Sequence, residues 1–99
     1  MTDQEINHLI ATSMIGWGYS ASSDTYWVDF GVPVGDAKSF DPMNNEHQRN
    51  LVVSELELPC TPDTLKEYVL GLTLEQRREI STKYRKKRYG NYIYPKDEP

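Results

Sequence analysis

The sequence predicts an α+β, mostly helical fold: about four helices with one short strand or hairpin, in a single small domain. Three observations predict it. Helix-start signatures recur four times, each followed by apolar residues at helical spacing. Only one run, residues 25–30, is dense in β-branched and aromatic side chains. The chain has 99 residues, 37% of them hydrophobic, enough for one modest core and too few for two.

The elements follow in order. Thr2-Asp3-Gln4-Glu5 reads as a capping box, and Ile6, Leu9, Ile10 and Met14 form one apolar stripe. A first helix is expected over about 3–15, ended by Gly16 and Gly18. Tyr19 to Asp24 reads as a polar, mobile loop. Thr25 to Phe30 reads as a strand, with Tyr26, Val28 and Phe30 on one face and Trp27 on the other. Pro33 demotes Gly31 to Gly35 to an edge strand or an irregular extended piece.

Asp41-Pro42 reads as an N-cap followed by a first-turn proline, which predicts a second helix over about 42–57 ended by Pro59. Its face would carry Met43, His47, Leu51 and Ser54, broadened by Val52, Val53, Leu56 and Leu58. Residues 52–58 also alternate with period two, so a strand there is the competing assignment. Thr61-Pro62-Asp63 starts a short third helix with Leu65, Tyr68, Val69 and Leu72, stopped at Gly71. Thr73-Leu74-Glu75-Gln76 opens a fourth over about 74–88, with Gly90 closing it. Residues 91–95 read as an extended segment. The domain is expected over 1–95, with 96–99 a frayed tail. The expected core is Ile6, Leu9, Ile10, Met14, Trp17, Trp27, Val28, Leu51, Leu56, Leu65, Val69 and Leu72.

Composition narrows the function. One cysteine, Cys60, excludes an internal disulfide and a four-cysteine zinc site. No apolar run approaches the roughly 20 residues of a membrane span. The acidic start lacks the plan of a signal peptide. A cytoplasmic protein that does not act at a membrane is expected. His8 and His47 have no second ligand at helical spacing, so no metal is expected. Neither a nucleophile elbow nor a complete phosphate loop is present, and no enzyme activity or cofactor is expected.

Charge is segregated. Residues 1–60 hold two basic and nine acidic residues, a balance of −7; residues 61–99 hold nine basic and six acidic, a balance of +3. Arg77, Arg78, Lys83, Arg85, Lys86, Lys87 and Arg88 lie close together, with Tyr84 and Tyr89 interleaved and Tyr92 and Tyr94 following. Cations beside aromatics are what a single-stranded nucleic-acid surface uses. At about 100° per residue, however, these cations surround the helix. That arrangement also fits a solvated helix end that favours the macrodipole. Asp24, Asp29, Asp36 and Asp41 flank the strand region, and such spaced carboxylates can imitate phosphates. A merely solvated acidic face is the alternative.

Leu9-Ile10 followed by Met14-Ile15-Gly16-Trp17, then Trp27 and Phe40-Asp41-Pro42, resembles small phage proteins of the ABA sandwich type over residues 2–57. Several strands of that pattern are missing between Phe30 and Phe40. The resemblance implies a small accessory protein of phage origin and carries over no site residues.

Together these readings lead to an expectation. The chain is a non-enzymatic interaction protein that binds and inhibits a protein or ribonucleoprotein complex of a bacterial host, in the manner of an anti-CRISPR protein. Its binding residues are expected among Asp24, Asp29, Asp36 and Asp41 or in the basic run. The alternative is a small nucleic-acid-binding regulator using residues 77–94. Oligomeric state is open.

Overall fold

Both capping boxes form as their sequences predict. In the first, Thr2 N–H donates to Glu5 Oε1 at 2.9 Å and Glu5 N–H donates to Thr2 Oγ1 at 3.2 Å. In the second, Thr73 N–H donates to Gln76 Oε1 at 2.8 Å and Gln76 N–H donates to Thr73 Oγ1 at 3.1 Å. These local exchanges satisfy otherwise orphaned donors and fix where helices begin. A computed structural model describes residues 1–28 and 32–89. It contains four α-helices, α1 (Asp3–Leu9), α2 (Glu46–Glu55), α3 (Leu65–Leu70) and α4 (Leu74–Tyr89), with three strands, β1 (Gly18–Ser20), β2 (Thr25–Val28) and β3 (Val32–Asp36).

The first helix continues past Leu9 as a π-helix over Ile10–Ile15. Thr12 Oγ1 donates to the His8 carbonyl at 2.7 Å, and Ser13 Oγ donates to the Leu9 carbonyl. Hydroxyls on these carbonyls compete with the ordinary ladder and loosen the turn. The wider turn buries Ile10, Ala11, Met14 and Ile15 together. Gly16 then ends it in the left-handed region, at φ +94°.

Tyr19 and Ser20 pair with Tyr26 and Thr25, so part of the expected polar loop is strand β1, and only residues 21–24 form the turn. The sheet is antiparallel in the order β1-β2-β3. Tyr26 pairs with Gly35 and Trp27 with Pro33, which leaves Val34 as a bulge. The assignments made for Asp29 to Gly31 and for residues 90–99 lie outside the described residues.

The second helix differs from its expectation at both ends. Asp41 does not cap it, because its carboxylate accepts from Asn7 and Asn44 instead. The helix starts four residues later, where Asn45 accepts from Gln48 N–H at 2.9 Å. It also stops before Pro59. Glu57 N–H bonds to the Ser54 carbonyl and Leu58 N–H to the Val53 carbonyl, with Glu57 at φ +51°. This is a Schellman end built without glycine. Val52 and Leu56, both on the expected face, are buried, whereas Leu51, expected inside, is 46% exposed. Residues 52–55 are helical, so the strand alternative for 52–58 is not adopted.

The core joins Ile6, Ile10 and Met14 from the first helix to Val52, Leu56 and Leu58 and to Leu65 and Val69 of α3. Trp17 and Leu72 are only half-buried against it, as are Leu9 and Trp27 elsewhere. Cys60 is also half-buried, and burial raises its thiol pKa. α4 lies along the π-helix, with Ser81 buried near Gly16.

Candidate functional site

The helix, the sheet and the segment after it enclose a cleft of about 470 Å³. Its floor is aromatic. Tyr26, on the central strand, is 3% exposed and stands near four other rings. His8 and Tyr19 meet edge-on, with centroids 4.8 Å apart. Phe40, which also lines the cleft, meets Trp17 edge-on at 5.2 Å. Three ring pairs meet edge-on at 71–86° and three are tilted at 35–52°, so the rings pack on one another without stacking face to face.

Polar groups are fixed in the same cleft. His8 Nδ1 and Tyr26 Oη are 3.1 Å apart, the direction of donation following the imidazole tautomer. Tyr19 donates its hydroxyl to Asp24 Oδ1 at 2.7 Å, which holds the Tyr19 hydroxyl above its usual pKa. Burial does the same for Tyr26. Both phenols therefore stay neutral well past physiological pH. On the other side, Asn7, 5% exposed, donates from Nδ2 to Asp41 Oδ1 at 2.7 Å. Its Oδ1 accepts from Met43 N–H at 3.1 Å. Asn7 thus ties the 41–43 turn to α1.

The structure brings Asp24 and Asp41 to this one cleft. Asp36 is exposed at the end of β3, just before a short 3-10 turn at Ala37–Ser39. Asp29 lies outside the described residues. The basic run is divided. Arg77 faces the body, where Nε donates to Ser13 Oγ at 3.1 Å and Nη1 donates to the Leu72 carbonyl at 2.8 Å. Tyr84 packs against the core, and the Arg85 side chain lies over Gly16. Lys87 pairs with Glu57 at 3.1 Å. Arg78, Lys83 and Lys86 share the outward face of α4 with Glu75 and Glu79. Arg88 is exposed one residue before the helix end, and Tyr89 is the last residue of α4.

This division predicts unequal costs. Arg77→Ala should lose about 1–2 kcal/mol of stability, because it breaks two part-buried bonds. Arg78→Ala should stay within about 0.5 kcal/mol. Urea unfolding of the two variants checks the contrast.

Sequence reasoning missed Asn7, His8, Tyr19, Tyr26, Lys38 and Phe40 as cleft residues. One signal was available. Asn7 sits beside Ile6 on the stripe that points inward, and a polar residue there needs a partner. Among the described residues, no group of three or more His, Cys, Asp and Glu side chains is placed to hold a metal ion. No described helix is long and apolar enough to cross a membrane. Comparison with protein-family models, curated proteins and solved structures finds no match to this chain.

Proposed function

We propose that the chain is a non-enzymatic interaction protein whose cleft between α1 and the sheet docks on a protein partner. In the phage context implied by the resemblance of residues 2–57, that partner is a protein or ribonucleoprotein complex of bacterial host defence, and binding inhibits it in the host cytoplasm. The observation that carries this reading is the cleft itself. Two of the candidate aspartates, distant in sequence, both line it beside an aromatic floor. Aromatic side chains with a few fixed polar groups are the usual anchors of a protein contact.

The basic segment supports this reading by contrast. Arg77 is bonded within the fold and Lys87 pairs with Glu57 at the surface, which interrupts the row of cations a nucleic acid would need. A second reading, a nucleic-acid-binding regulator using residues 77–94, draws on Arg78, Lys83 and Lys86, which share one face.

A plasmid-interference assay in bacteria carrying single defence systems, nuclease complexes among them, tests both. The wild-type protein should relieve interference by at least one system. Asp24→Lys with Asp41→Lys should abolish relief, while Arg78→Ala, Lys83→Ala and Lys86→Ala together leave it intact. Relief that survives the aspartate changes and fails with the basic ones would favour the nucleic-acid reading. A wild-type protein that relieves no system would overturn the inhibitor reading.

A further inference from the structure

We propose that the cleft receives the guanidinium of an arginine side chain presented by the partner. This rests on the docking role proposed above and names its ligand chemistry. Three observations lead to it.

The first is size and shape. About 470 Å³ is within the range of small-ligand pockets and holds one long side chain entering from the surface. The second is the ring geometry. Tyr19 and Tyr26 lie 5.5 Å apart at 52°, and Tyr26 and Phe40 lie 6.1 Å apart at 84°. With His8 against Tyr19 at 86°, these rings pack directly on one another; Tyr26 is 3% exposed, so Tyr19, His8 and Phe40 supply most of the ring surface that faces the cleft. Aromatic faces attract cations, and guanidinium stacks on them more readily than ammonium. The third is charge. The hydrogen bonds that fix Asp24 and Asp41 come from a phenol and two amides. Neutral donors orient a carboxylate and leave its negative charge in place. A planar guanidinium can bond to such oxygens through several N–H groups at once.

Lys38 also lines the cleft, and it is exposed. The balance is therefore two carboxylates to one ammonium, still favourable to a cation. An anionic ligand would meet both aspartates. A lysine is a compact, strongly hydrated charge that matches the rings and carboxylates less well.

The test is an NMR titration of the intact protein with Nα-acetyl-arginine methylamide, and with its lysine and glutamate counterparts. The arginine compound should shift the ring signals of His8, Tyr19 and Tyr26 and saturate with a Kd of about 1–10 mM. The lysine compound should bind several-fold more weakly, and the glutamate compound should give no saturable shift. Asp24→Asn should weaken arginine binding about tenfold, since Asn keeps an acceptor for Tyr19 but removes the charge. Asp41→Asn should act alike, its fold checked by an unchanged amide spectrum. No saturable shift with arginine would overturn the proposal. So would equal binding of lysine or glutamate, or wild-type affinity in Asp24→Asn. Relief of interference that depends on the aspartates, without arginine binding, would sink this inference alone. Arginine binding without relief of any system would sink the inhibitor reading alone.

Discussion

Gly16→Ala should destabilise the protein by about 2–3 kcal/mol, read as a lower urea midpoint with an unchanged slope. Two causes add. Gly16 sits at φ +94°, where an L side chain is strained by about 1–2 kcal/mol. A Cβ there would also lie 2.6 Å from Ser81 Oγ and 3.1 Å from Arg85 Cδ. The second cause can be isolated. Adding Ser81→Ala should recover about 1 kcal/mol, because it removes the closest atom and leaves the backbone strain. If the two changes were additive, the close approach of α4 to Gly16 would not be limiting.

Asn7→Asp should cost about 3 kcal/mol at pH 7, although the side chain is nearly isosteric. Asn7 Nδ2 donates to Asp41 at 2.7 Å, and an aspartate there turns a buried bond into a repulsion between two carboxylates. The sign with pH is definite. The folded variant binds one proton more readily than the unfolded chain, so its stability falls as pH rises. Acidification to about pH 4–5 should therefore narrow its gap to wild type, because one shared proton restores a hydrogen bond. Thermal unfolding at several pH values checks this. The substitution keeps an oxygen to accept from Met43 N–H, so a gap that stays constant with pH would overturn the charge account.

What was legible in the sequence was local. The two capping boxes lie within four residues each, so the starts of α1 and α4 follow from neighbours alone. Gly16 and Gly71 end their helices for the same reason. The start of α2 was misread because Asp41 has two possible uses. Its sequence neighbours favour a cap, but a partner 34 positions away takes its carboxylate. The cleft was legible only in part. Asp24 and Asp41 stood out as acids, while the site is completed by Asn7 and His8 of α1, Tyr19 of a strand read as a loop, Tyr26 of the expected strand, and Lys38 and Phe40 after the sheet. The basic run shows the converse limit. Its cations are plain in the sequence, yet which of them face inward depends on how closely α4 approaches Gly16, a fit between distant segments.

The bulge at Val34 has a bearing on how a partner approaches. Among the described residues, β3 is one border of the sheet, and it combines that bulge with Pro33, which has no N–H to offer. β1, the other border, is three residues long. Neither presents a regular row of backbone donors and acceptors on which a foreign chain could add as a fourth strand. The same features guard against edge-to-edge aggregation of this small sheet. In the docking role proposed above, recognition would thereby be steered away from backbone templating, which reads almost any extended sequence, and toward side chains, which choose among partners.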